Sequence, residues 1–168
     1  MSISMYQMLV PVTTHALRNL SAVLKKGEAF AKTKNTPEEN LLQTRLLFDM
    51  LPLIRQVQIA TDTVTRGAAR LAGVEMQTVA DTETSFAELC ARLDAAIAYL
   101  ESFQPEQIDG SETRDIHMKM RSGDLHYKGL DYLQFFILPN FFFHCTTTYA
   151  ILRQSGVELG KRDFLGAQ

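Results

Sequence analysis

The sequence contains no run of about 18 uninterrupted apolar residues, the length a membrane span requires. The nearest approach, residues 133–150, is broken by Gln134, Pro139, Asn140 and His144, so no membrane partner is expected. It carries no basic stripe: 17 Lys and Arg stand against 19 Asp and Glu, for a formal net charge of −2. That scattered balance argues against a nucleic-acid surface. Cysteine is scarce. Cys90 and Cys145 lie far apart with no Cys-x-x-Cys pair and read as buried, reduced thiols. A cytoplasmic, reducing location is the expectation. MSISMYQMLV at the start lacks the basic n-region and small-residue cleavage site of a secretory signal. There is no Gly-rich phosphate loop, no His-Glu-x-x-His pair and no local Cys–His signature, so those catalytic templates drop out.

What remains is a single 168-residue domain, 46% hydrophobic and 21% charged, of ordinary globular composition. Met5, Leu9, Val12, Ala16, Leu20, Val23 and Phe30 recur at three-four spacing and predict a first helix over about residues 5–32. Thr36-Pro37-Glu38-Glu39 reads as a helix start for a short helix to about Leu47. Asp49 reads as the cap of a second long helix over about 50–72, with Gly73 as its stop. Ser85 with Glu88 is a capping-box spacing for a third long helix over 85–103. A fourth runs over about 130–155 with a bend at Pro139. The tail 157–168 is expected to be extended. Glu38/Glu39 and Asp81/Glu83 read as helix-end and loop charges.

Residues 116–128 alternate instead. Ile116, Met118 and Met120 are interleaved with His117, Lys119 and Arg121, and the alternation resumes at Leu125 and Tyr127. This predicts a hairpin turning at Ser122-Gly123, with Met120 facing Leu125 and Met118 facing Tyr127. His117 and His126 then share a solvated face with lysines. The fold class is therefore all-α: a four-helix bundle with a small β-hairpin between helices 3 and 4.

The functional signal concentrates in residues 133–153, LQFFILPNFFFHCTTTYAILR. Asn140, His144 and Thr148 fall on one helical face inside an apolar segment. An unpaired buried polar group costs about 1–3 kcal/mol by mutational data, so this stripe must find partners or bind something. Across the bundle, RQVQIATD on the second long helix offers Gln56, Gln58 and Asp62. Either glutamine can reach inward; the edge shared by Ile54, Gln58 and Thr61 favours Gln58. Three readings follow. His144 satisfies itself in a packed core, as in a structural or interaction module. Or His144, Asn140, Gln58, Gln56 and Thr148 line a small-molecule pocket. Or His144 ligates a divalent transition metal such as Zn or Ni, with Asp62 or Gln58 completing the shell of a metal-dependent transferase or hydrolase. Amides are weak ligands for such metals, so no cofactor is the primary expectation.

Five stretches carry a resemblance: MSISMYQ, DMLPLIRQVQIATD, DTETSFAEL, GLDYLQFFILPNFFFH and YAILRQSGVELGKRDFLG. By these the chain resembles the DinB/YfiT-like four-helix-bundle superfamily, and more closely a DinB-related bacterial family of unknown function. The resemblance implies an up-down-down-up bundle, a homodimer, and a metal held by three histidines. One of these comes from the second long helix and two from a His-x-x-x-His on the fourth. His144 aligns with the second of that pair, Asn140 with the first, and the helix-two histidine falls on or near Gln56 or Gln58. The chain departs from the pattern at two of three positions, so the metal site is expected to be degraded.

Overall fold

The computed structural model describes residues 3–119 and 123–166. Helix α1 (Met5–Thr33) opens with a reciprocal cap. The Gln7 N–H donates to Ser4 Oγ at 3.3 Å, and the Ser4 N–H donates to Gln7 Oε1 at 3.1 Å. Leu9, Leu17 and Leu24 on its inner stripe are fully buried. Helix α2 (Glu38–Leu42) is shorter than the spacing suggested. Thr36 turns its hydroxyl back to the Lys34 carbonyl, and Pro37 occupies the cap position with no side-chain bond. Glu38 instead accepts the Phe86 N–H at 2.9 Å, bracing the start of another helix. Helix α3 (Leu53–Ala72) begins after Pro52 rather than at Asp49. A proline drives the residue before it out of helical geometry, and the Leu53 N–H donates to the Thr44 carbonyl at 2.9 Å. Gly73 closes α3 in the left-handed region, φ 71°, as a residue without Cβ can. Helix α4 (Phe86–Glu101) starts from the Ser85–Glu88 capping box.

After the short α5 (Pro105–Ile108), strands β1 (Asp115–Met118) and β2 (Leu125–Lys128) pair antiparallel. Their register corrects the expected one. Met118 lies opposite Leu125 and Ile116 opposite Tyr127, two residues away from the predicted pairing. An even shift keeps every side chain on its own face, so Ile116 and Met118 are still buried while His117 and His126 stay exposed. The predicted partner Met120 and the turn residue Ser122 lie outside the described residues. Tyr127 packs on Tyr132 and Phe136, with ring centroids 5.9 and 6.0 Å away.

Those aromatics belong to a continuous helical run: α6 (Gly129–Tyr132), a π turn (Leu133–Ile137) and α7 (Leu138–Gln154). Pro139 explains the π turn. It has no N–H for the carbonyl four residues back, at Phe135, and the Leu138 N–H reaches five residues back to Leu133. By length and a mean hydropathy of 1.3 this run could cross a membrane; here Tyr132, Leu133, Ile137, Phe141, Ile151 and Leu152 pack inside the bundle, while Phe135 and Phe143 stay exposed. The tail is not fully extended, since residues after Gly160 form α8 (Lys161–Leu165).

Contacts fix the helix directions. Gln56, Thr63 and Gly67 of α3 meet His144, Asn140 and Ile137 in reverse order, so α3 and the α7 run are antiparallel. Gly27 and Arg18 of α1 meet Phe86 and Glu101 of α4, again antiparallel. Arg55 and Gln58, at the start of α3, bond Asp81 and Glu83 just ahead of α4. Helices α3 and α4 therefore run parallel, joined by the long connection 73–85. The result is an up-down-down-up four-helix bundle, with the hairpin between its third and fourth long helices.

Candidate functional site

The seam between α3 and α7 brings His144 and Gln56 together. His144 Nδ1 and Gln56 Oε1 are 2.6 Å apart. The amide orientation settles who donates. Gln56 Nε2–H donates to the Leu51 carbonyl at 2.9 Å, which leaves Oε1 as the acceptor toward the ring. His144 must then carry its proton on Nδ1, and in the neutral ring Nε2 is a free lone pair. Burial pushes the imidazole pKa below its ordinary 6.5 because a desolvated cation is disfavoured. His144 is 8% exposed, and its Nε2 bonds to none of the described residues. Phe143 meets the ring edge-to-face at 5.2 Å.

Asn140, one turn earlier, donates through Nδ2 to Thr63 Oγ1 at 3.2 Å. Thr63 in turn donates to the Ile59 carbonyl. Thr148, fully buried, returns its hydroxyl to the His144 carbonyl at 2.9 Å. The two thus reach the seam differently: Asn140 bridges helices, whereas Thr148 satisfies itself along its own helix. Gln58 does not meet His144, which corrects the preference for it over Gln56. Its Nε2 donates to Glu83 at 2.7 Å, and its Oε1 accepts from Arg55 at 2.6 Å. On a helix, positions two apart lie on different faces; Gln56 faces α7, and Gln58 faces the 73–85 connection.

Asp62 is likewise committed elsewhere. It pairs with Arg66 at 2.8 Å and with Arg92 at 2.7 Å. Arg92 is the polar residue that sequence reading missed. Its side chain is 4% exposed, and each of its nitrogens donates a hydrogen bond. It bonds Thr61 at 2.8 Å, the Ala80 carbonyl at 3.2 Å, Glu83 at 2.8 Å and Asp62 at 2.7 Å, and it pairs with Asp81 at 3.1 Å. Asp81 and Glu83 are therefore not mere loop charges. Burial raises the Glu83 pKa, but bonds from Arg92 and Gln58 outweigh it and hold the carboxyl below its usual range. The only advance signal was an arginine, Arg92, directly before Leu93 on the buried stripe of α4.

A three-histidine metal centre does not fit this donor set. Where the superfamily pattern calls for imidazoles, the seam presents one imidazole, two carboxamides and hydroxyls. Among the described residues no three His, Cys, Asp or Glu side chains are grouped so that they could hold a metal ion. Neither Asp62 nor Gln58 stands beside His144 to complete a shell, because both bond the Arg92 side of α3.

Beside the seam, α7 and the α2–α3 loop enclose a shallow recess of about 370 Å³ lined by Leu46, Phe142, Phe143, Thr146, Thr147 and Ala150. His144 itself does not line it. The loop next to it exposes Leu47 at 60% and Phe48 at 93%.

Residues 5–165 match the family model described as a domain of unknown function, DUF1993. No curated protein matches the chain. Among solved structures, the chain is similar to a DinB family member protein from Shewanella denitrificans, with a TM-score of 0.88 and 38% identity, covering 97% of this chain and 92% of that one. The chain belongs to the DUF1993 family, a DinB-related family of unknown function.

Proposed function

We propose that this protein binds a small molecule without a metal, and that the Nε2 edge of His144 is its polar contact. The observation behind this is the tautomer. Gln56 takes the Nδ1 proton, and burial keeps the ring neutral. An uncommitted acceptor therefore stands at the edge of a Phe-rich helix. A ligand with one O–H or N–H donor and an apolar body suits that environment. Asn140 and Gln56 orient the ring and the seam; Thr148 holds the helix behind it. The metal-free reading draws on the donor chemistry, since carboxamides bind transition metals weakly. The competing enzyme, a metal-dependent transferase or hydrolase, would need two further strong ligands at His144.

The test combines two measurements. Untagged protein, mildly dialysed, is analysed for Zn, Ni, Fe and Mn; stoichiometric metal overturns the reading. Phenol, as a donor-bearing probe, is then titrated while the His144 ring nitrogens are followed by ¹⁵N NMR. A saturable Nε2 shift, absent in His144→Phe, is expected; no shift at millimolar probe overturns it.

One observation favours an interaction role in addition. Leu47 and Phe48 stand exposed directly after Leu46, which shares a recess with the half-exposed Phe143, and exposed apolar side chains gathered in this way mark a contact surface. We propose a homodimer closed over this patch, in a reducing cytoplasm suited to the two free, buried thiols. Sedimentation as a monomer at micromolar concentration would remove the dimer.

A further inference from the structure

On the α1 side of α7, away from the Gln56 bond, lies a cavity of about 520 Å³ between α1, α7 and α8. Three observations bear on what it holds. First, its lining contains no Asp, Glu, Lys or Arg; the walls include Ala16, Leu20, Val23, Phe142 and Phe164, and the floor is Cys145. Burial pushes the Cys145 thiol far up, so the floor is a neutral, apolar surface. Second, the approach of α1 to α7 varies along their length. At Gly27 α1 lies so close to α7 that an added Cβ would sit 2.9 Å from Leu152, whereas the cavity flanks the segment of α1 from Pro11 to Val23. Third, α8 contributes no buried residue and is held over the opening by polar clasps. His15 Nε2–H donates to the Leu165 carbonyl at 2.9 Å, Asn19 Nδ2 donates to the Phe164 carbonyl at 3.3 Å, and Lys26 pairs with Asp163 at 2.6 Å. Those bonds occupy the polar groups at the rim, and Phe164 alone of α8 leans on Tyr149, with ring centroids 5.9 Å apart.

The space opens to solvent past the exposed Pro11, Val12, His15 and Leu165. Ligand pockets are commonly clefts of about 300–1,000 Å³ with apolar walls. We infer that this cavity is a second binding site, for a neutral, apolar ring compound that slides under α8 and rests on Cys145. A charged ligand would meet no counter-charge there. A peptide helix would be blocked by α8, which already crosses the opening.

The chain has no tryptophan, so an introduced indole is a unique reporter. Wild-type protein is titrated with the neutral dye N-phenyl-1-naphthylamine. Saturable binding is expected with a Kd below about 100 µM. Ala16→Trp and Val12→Trp each place an indole in the cavity; Val12 is part-exposed on the helix surface and tolerates exchange without the core. Each is expected to weaken dye binding by about tenfold or more with blue-shifted indole emission. Val74→Ser, an exposed apolar side chain elsewhere, is expected to leave binding unchanged. Non-saturable wild-type binding, or wild-type affinity in both tryptophan variants, overturns the proposal. So does a wild-type dimer that either tryptophan variant converts to monomer, because a second copy would then be the occupant.

Discussion

Helix α3 has two polar faces, and they are built on opposite terms. Toward α4 it presents Thr61 and Asp62 to a buried guanidinium, Arg92, that three carboxylates surround and whose every nitrogen is bonded. Toward α7 it presents Gln56 and Thr63 to His144 and Asn140, all formally neutral, and one ring nitrogen keeps its lone pair. A fully paired charge cluster fixes geometry and has nothing left to offer a ligand. A neutral seam with one open acceptor is cheaper to bury and keeps a valence for something else. Polar burial on a bundle helix is thus not in itself a sign of a site; the unfilled valence is.

That contrast can be broken from the charged side first. Arg92→Met leaves the largely buried Glu83 without a cation, while Asp62 keeps Arg66 and Asp81 keeps Arg55; breaking one buried pair in this way should cost about 3 kcal/mol, the low end for such a loss. Denaturant unfolding should show that loss, and adding Glu83→Gln should recover part of it. A loss no larger than that of an exposed arginine would mean that the cluster does not hold the 73–85 connection. On the neutral side, packing dominates. A Cβ on Gly67 would sit 2.7 Å from Ile137 Cδ1, so Gly67→Val should destabilise by about 1–3 kcal/mol through overpacking, with relief on adding Ile137→Ala. Thermal unfolding of both variants checks this.

The smallest effect is the pH response of the seam. The folded pKa of His144 lies below its ordinary 6.5, so between the two values the unfolded chain binds the extra proton. The stabilisation is complete above about pH 6.5 and is lost as pH falls through the folded value. Wild-type stability should drop more steeply than that of His144→Gln as pH is lowered from 7 to 5. The difference is at most one proton's worth of slope. Parallel curves would place the ring in solvent.

The bundle was legible because its signals are local and periodic. The Ser85–Glu88 box, Gly73 and the leucine stripe of α1 act within a turn or two of themselves. The boundaries that slipped, at Thr36, Asp49 and the tail, were decided by long-range bonds: Leu53 to Thr44, Glu38 to Phe86, and the clasp of His15 on Leu165. The polar stripe of His144 and Asn140 stood out because an imidazole and an amide are rare among phenylalanines. Its partner did not, since Gln56 and Gln58 are equally glutamine and only the rotation of α3 separates them. Arg92 was hidden for a related reason. An arginine beside an apolar stripe reads as solvent-facing until the carboxylates of a distant loop fold over it. Asn19 and His15 belong to the same class, as their roles exist only once α8 returns to α1.

The π turn at residues 133–137 has one more effect. A regular helix advances about 100° per residue, so the residue taken up in the wide turn clocks the two ends of the long rod independently. Tyr132 and Phe136, stacked at 5.4 Å, pack with Tyr127 of the hairpin, Tyr132 also accepting a bond from Arg70 at the end of α3, while Asn140 and His144 meet the first half of α3. Unwinding that coil by one residue would swing the aromatic anchor off the strands and leave the imidazole aimed where it is. The hairpin and the histidine can therefore change their bearings separately, although one uninterrupted rod carries both.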